Sequence, residues 1–274
     1  MFESISRRGF LALVPTVPFA FRPASPGLRR ARQSPPASSA PASPSASFPA
    51  HEPDVVKEMV AVSHGNLARV KELVSARPAL ARASWDWGYG DWETPIDAAS
   101  HVGNRPIAEY LIANGARPTI FTAVMMGQLD IVKQLIAASP GLQRMRGPHG
   151  LTMMAHARAG GTAAAEMLKY LESLGDADPR YPDVPLTDTE QAAIVGEYVF
   201  GPGSTERLTV AKNARGVLTI TRSGGTERNL FHHGGLVFNP PGGEAVRIRF
   251  EVSGGRSGSV TVEDGPSKVS ASRA

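Results

Sequence analysis

The thirteen residues from Ala83 to Pro95, ASWDWGYGDWETP, hold all three tryptophans of the chain. Trp85, Trp87 and Trp92 stand there with Tyr89 between them and with Asp86, Asp91 and Glu93 interleaved. Large amphipathic rings lose little entropy when fixed and exclude water well, so Trp and Tyr beside acids have the composition of a binding surface. The acids favour a basic partner, through charge pairing and cation–π contact, or a sugar whose hydroxyls meet Asp86 and Asp91. The same rings could instead pack against the protein itself, and the residue types alone leave both readings open.

Other chemistry-bearing residues are scattered. No G-x-S-x-G turn occurs, and no serine has a lysine three positions later, so two common nucleophile signatures are missing. His51-Glu52 runs into Pro53 and lacks the second histidine of an H-E-x-x-H helix. His232-His233 precedes Gly234-Gly235; neighbours on a strand point to opposite faces, so the pair is a poor chelate and reads as exposed turn histidines. Asp176 and Asp178 lack the further oxygen ligands of a calcium loop. The chain has no cysteine, which excludes thiolate metal sites, disulfides and lipoprotein acylation. His64 and His101 could face one groove but read better as polar contacts between similar helical units. The expectation is therefore no catalytic residue, no metal ligand and no cofactor.

The elements that must position these residues change character along the chain. Four segments, 61–74, 94–118, 119–140 and 151–179, align on Gly65, Gly103, Gly127 and Gly161, at intervals of 38, 24 and 34 residues. Each reads as a short helix, a glycine and a second amphipathic helix; Leu67, Val70, Leu73 and Val74 share one face of a 3.6-residue period. Thr94 can cap a helix, Pro95 suits its first position, and Asp97 stands where a capping-box acid reaches back.

Thr94-Pro95-Ile96-Asp97, Ala99, Gly103 and Leu111-Ile112-Ala113-Asn114-Gly115-Ala116 together resemble an ankyrin repeat, with Asp97 where histidine is common. The resemblance implies an α-helical solenoid over 54–180 of about four units, the third truncated. On that template Trp85 to Glu93 is an enlarged finger, about five residues longer than standard, projecting along a partner-binding face. His64 and His101 then occupy equivalent places in successive units.

From Tyr181 to Pro185 the helical period stops. Short alternating runs follow, between Gly-rich turns, as in an antiparallel barrel or sandwich. In VRIRFEV, Val246, Ile248, Phe250 and Val252 share one face and Arg247, Arg249 and Glu251 the other. Gly196-Glu197-Tyr198, Gly216-Val217-Leu218 and the later GGLVF are similar to small lipocalin-like domains that accompany some bacterial serine hydrolases. The all-β domain is expected over 186–268, with Ser270 onward frayed. The fold class is thus multidomain α + β: a helical ankyrin solenoid followed by a small antiparallel β-barrel or sandwich.

Charge locates the start. The pI near 9.6 comes from residues 1–50, which carry six Arg and one Glu; residues 51–182 carry 13 basic and 14 acidic groups, and 183–274 ten of each. The part that folds is nearly neutral, which argues against nucleic acid as partner. Ser6-Arg7-Arg8-Gly9-Phe10-Leu11, before a short apolar run, resembles a twin-arginine export signal, with Arg7, Arg8, Phe10 and Leu11 as its elements. The signal occupies 1–22, and a Pro/Ala/Ser-rich linker that cannot offset its chain entropy by burial occupies 23–53. Left uncleaved, the signal would tether the protein to a membrane. These features point to a periplasmic or extracellular, non-enzymatic protein that recognises another protein through Trp85, Asp86, Trp87, Tyr89, Asp91, Trp92 and Glu93. The alternative is a small-ligand binder or hydrolase-associated protein with a pocket in the β domain.

Overall fold

Capping residues set where the helices of the first half begin. α1 (Pro53–Val62) opens on a proline, which suits a position whose N–H needs no partner. α2 (Leu67–Ala76) starts on Asn66, whose side chain accepts from the Arg69 amide at 3.0 Å. A 3₁₀ turn (Pro78–Arg82) leads to a two-strand hairpin, β1 (Trp85–Asp86) and β2 (Trp92–Glu93), paired antiparallel. α3 (Pro95–His101) is capped by Thr94 and α4 (Arg105–Ala113) by Asn104. α5 (Ile120–Met125), α6 (Leu129–Ala138), α7 (Met153–Ala159) and α8 (Ala165–Leu174) follow. The computed structural model describes residues 46–202 and 205–274, so the signal elements Arg7, Arg8, Phe10 and Leu11 lie outside the described residues.

α9 (Asp188–Ile194), begun by a Thr187–Glu190 capping box, introduces the sheet. Its strands are β3 (Gly196–Val199), β4 (Arg207–Lys212), β5 (Leu218–Arg222), β6 (Arg228–Asn229), β7 (Phe231–His232), β8 (Val237–Asn239), β9 (Arg247–Ser253), β10 (Arg256–Asp264) and β11 (Ser267–Arg273). They pair antiparallel in the order β6-β5-β4-β3-β11-β10-β9-β8-β7. The two outermost strands are separated in sequence by Leu230 alone, so the sheet curls almost to closure. Inward-facing Tyr198, Leu208, Val210, Ile220, Phe238, Ile248, Phe250 and Val260 fill it. Each such side chain contributes roughly 1.5–3 kcal/mol by leaving water.

Two expectations are corrected here. The fold is a mixed α/β arrangement with a nearly closed nine-stranded barrel-like sheet, not an ankyrin solenoid. The helices among the described residues span six to ten residues and do not stack as regular repeats. Between α6 and α7 lie two 3₁₀ turns, Leu142–Arg144 and Pro148–Gly150, and a lone bridge from Arg146 to Thr152, where a repeat would carry its finger. The β1–β2 hairpin folds onto the barrel instead of projecting from a stack, and the described residues all fall in one compact unit. A 3.6-residue apolar period tells a helix which face to bury; it does not oblige successive pairs to dock alike. The second correction concerns the C-terminus. Ser270 to Arg273 do not fray but lie within β11, between β3 and β10. The Arg273 guanidinium donates to the carbonyls of Ser257, Val195 and Ala193 at 2.6, 3.0 and 2.7 Å. No helix among the described residues is long and apolar enough to cross a membrane.

Gly103, at φ +74°, turns the chain from α3 into α4 where an added Cβ would lie 2.1 Å from the Ala159 carbonyl oxygen. Only glycine permits that approach. It brings α7 against the end of α3, the end that carries His101.

Candidate metal centre

Four segments converge beside the hairpin. His64 lies in the turn after α1, Glu93 on β2, His101 at the last position of α3, and His149 in the turn before α7. Each offers one ligand atom, and the four atoms lie within 4.8 Å of one another. Glu93 Oε1 is the hub: His101 Nε2 is 2.9 Å away, His149 Nε2 3.3 Å and His64 Nε2 3.7 Å. His64 Nε2 and His101 Nε2 are 3.0 Å apart.

The opposite atoms of three of these groups are already committed. His64 Nδ1 meets the Ala61 carbonyl at 2.9 Å, which makes Nε2 the acceptor nitrogen of the ring, facing His101. His149 Nδ1 meets Asp91 Oδ2 at 2.7 Å, a carboxylate–histidine pair of the kind that orients metal-binding rings. Trp87 Nε1 donates to Glu93 Oε2 at 2.7 Å and so turns Oε1 toward the imidazoles. Glu93 Oε1 is buried and accepts no well-aligned hydrogen bond despite its three nitrogen neighbours. A buried acceptor left in that condition costs about 1–3 kcal/mol or more when charged, and a cation among the four atoms would remove the cost.

The backbone works to hold this arrangement. Gly88, Tyr89 and Gly90 all have positive φ (104°, 63° and 78°), which folds the hairpin tip tightly. His149 also has positive φ, 59°, a conformation rare for a non-glycine residue and common at functional sites. Asp91 compensates by accepting from both the His149 amide and its ring, each at 2.7 Å. The Oδ2 that meets the His149 ring also accepts from Arg228 Nη1 of β6 at 2.5 Å. Gly242 lets the barrel loop approach: a Cβ there would stand 2.3 Å from Asp91 Oδ1.

Electrostatics follow the burial. Burial alone would raise the Glu93 carboxyl, but the facing His101 and His149 rings outweigh it and hold the group near 2. Burial would lower His149, yet Asp91 and Glu93 push it up to about 9. Asp91 is lowered in the same way: hydrogen bonds from His149 and Arg228 outweigh its burial. Nearby His156 is the contrast. It is fully buried, its Nδ1 meets the Thr152 carbonyl at 2.9 Å, its Nε2 has no partner, and burial takes it down to about 4.

The seven finger residues divide. Trp92 is 61% exposed, while Asp91 and Glu93 are 1% and 0% exposed and bind internal groups. Trp85 is half-buried, with Lys57 Nζ 5.9 Å from its ring centroid. Asp86 accepts from the Gly88 amide at 2.8 Å and Trp87 braces Glu93. Tyr89 packs against the barrel core, and burial pushes its hydroxyl up to about 12. The inner side of the finger therefore meets the protein itself.

The other histidines and acids sit apart. His232 is not an exposed turn residue: it is 3% exposed, its Nδ1 meets the Val184 carbonyl at 2.8 Å, and its Nε2 accepts from the Leu236 amide at 3.3 Å. His233 Nε2 meets Asn239 Oδ1 at 2.6 Å. Asp176 is held by Gln143 and Arg144, and Asp178 by Thr152. Residue spacing alone points to no such cluster, and His149 stands in a turn that carries no motif. The one available signal was the matched placing of His64 and His101 before similar glycines.

No protein-family model matches the chain, and no curated protein is similar to it. Among solved structures, part of the chain is similar to the crystal structure of SurE, at 21% identity and a TM-score of 0.25. The match covers 43% of this chain and 27% of that one. A likeness that slight carries no argument about fold or activity.

Proposed function

We propose that this protein is a metalloprotein holding one divalent transition-metal ion, of the zinc class, on His64, His101, His149 and Glu93. The observation that carries this is the buried Glu93 Oε1, ringed by three imidazole Nε2 atoms while the far sides of His64, His149 and Glu93 are bound elsewhere. Three imidazoles and one carboxylate suit zinc, copper, iron or nickel; magnesium and calcium prefer all-oxygen sets. A tetrahedron with zinc bonds of about 2.0–2.1 Å has edges of about 3.3 Å. Four of the six ligand-atom separations, 2.9, 3.0, 3.3 and 3.7 Å, lie near that edge, while the spread of the set, up to 4.8 Å, leaves one side wider than a regular tetrahedron. The test is metal content after zinc loading and dialysis of the full chain. Wild type should keep one zinc per chain, and His101→Ala should bind it more weakly by over about a hundredfold. Equal retention by both proteins, or none by wild type, would contradict the proposal.

A second reading, recognition of a partner protein, is favoured by Trp92, an exposed indole at the edge of the finger. Capture of a basic protein by wild type and not by Trp92→Ala would support it; equal capture would count against it. Export is a separate proposal resting on the Arg7-Arg8 motif. The chain should appear outside the cytoplasm for wild type and be retained for the Arg7→Lys/Arg8→Lys variant; export of both would refute it.

A further inference from the structure

We infer that the metal centre has one open face, and that this face takes a small monocarboxylate carrying a flat apolar group. The inference rests on the metal reading and adds what the ion would bind. The two sides of the cluster differ. Glu93 and His101 form a closed back, their side chains 0% and 11% exposed, whereas His64 and His149 are 32% and 28% exposed. Those two outer imidazoles line a cavity of about 400 Å³ whose other walls include Trp87, Glu227, Arg228 and Asn229. Sites for small molecules commonly measure about 300–1,000 Å³. The ligand atoms spread to as much as 4.8 Å, wider than a closed tetrahedron needs, and zinc can expand to a fifth donor. An exchangeable position on the cavity side follows.

Charge selects the donor. A divalent ion keeps one positive charge after Glu93, while Asp91 and Arg228 neutralise each other at 2.5 Å. One monoanionic oxygen donor balances what is left. A dianion such as phosphate would overshoot, and it would face the Glu227 carboxylate across the same cavity. The wall selects the body of the ligand. Trp87 is immobilised by its bond to Glu93, and its ring centroid stands 6.4 Å from that of His149, at an interplanar angle of 52°. A flat apolar group attached to a metal-bound carboxylate would lie against this indole.

The test uses the full chain loaded with cobalt(II), whose visible bands report its ligands. Benzoate, acetate and inorganic phosphate are titrated separately, in wild type and in Thr226→Trp. Thr226 is exposed, lines the cavity and is not one of the four cluster residues, so its enlargement should block the mouth while leaving cobalt binding intact. The expected result is a saturable band shift with both carboxylates, benzoate binding about tenfold more tightly than acetate, and a loss of both shifts in the variant. Cobalt bound with bands that neither carboxylate moves would mean a closed four-ligand centre and would overturn the inference, leaving the metal reading standing. Phosphate acting as strongly as benzoate, or acetate equal to it, would overturn the assigned ligand class. Failure to bind cobalt at all would overturn the metal reading and this inference together.

Discussion

Two groups of histidines in this molecule invite comparison. In the barrel, His232 and His233 are neighbours in sequence, and each finds an ordinary partner: His232 spans the Val184 carbonyl and the Leu236 amide, and His233 meets Asn239. In the helical half, His64, His101 and His149 are far apart in sequence, yet their Nε2 atoms crowd one carboxylate oxygen. Adjacent histidines on a strand cannot converge, because their side chains leave on opposite faces. Residues at the ends of separate helices can, because each helix terminus is aimed independently. What distinguishes a site from a satisfied core is the convergence of ligand atoms from separate segments on one point, not the local density of histidine.

The comparison can be broken at several points, and the largest effect is expected at the cluster. Zinc at about a thousand times its dissociation constant should stabilise wild type by about 4 kcal/mol, seen as a rise in melting temperature. His101→Ala should show almost none of that rise, whereas His232→Phe should keep it. Next comes Asp91, which joins His149 to Arg228 across the boundary of helices and barrel. Asp91→Asn leaves a buried guanidinium without its counter-charge and should cost about 3–5 kcal/mol in urea unfolding of the metal-free protein.

A pH effect of somewhat smaller size belongs to His156. Its folded value near 4 lies below the ordinary 6.5, so it is neutral in the fold. As pH falls below 6.5 the unfolded chain takes up a proton that the folded chain refuses, and stability declines until about pH 4. The loss should reach at most about 3 kcal/mol, and His156→Phe should flatten that window in pH-dependent unfolding. Glu93, held near 2, gives a separate loss at lower pH, between its ordinary 4.5 and about 2. Smallest is His232→Phe, which strands the Val184 carbonyl and the Leu236 amide and should cost about 1–3 kcal/mol without changing zinc affinity.

Much of the local structure was legible. Thr94-Pro95 announces α3, and the alternation in VRIRFEV announces β9. The higher-order arrangement was not. Apolar periodicity marked helix after helix but could not say that they would pack as one unit with a nine-stranded sheet, and so the solenoid expectation failed. The finger was visible as an unusual run of rings and acids, yet Asp91 and Glu93 look no different in sequence from solvent-facing acids. Their burial depends on Arg228, 137 positions beyond Asp91, and on His149, 58 positions beyond it, and no local signal encodes either contact. His149 itself sits in a Pro-His-Gly turn that carries no motif.

The central claim is that four side chains from four segments bind one metal ion. X-ray absorption at the zinc edge of the loaded full chain tests it most directly. The account predicts about four nitrogen or oxygen donors at roughly 2.0–2.1 Å, three of them with the outer-shell scattering of imidazole. A spectrum dominated by water oxygens, or one unchanged in the His101→Ala/His149→Ala variant, would contradict it.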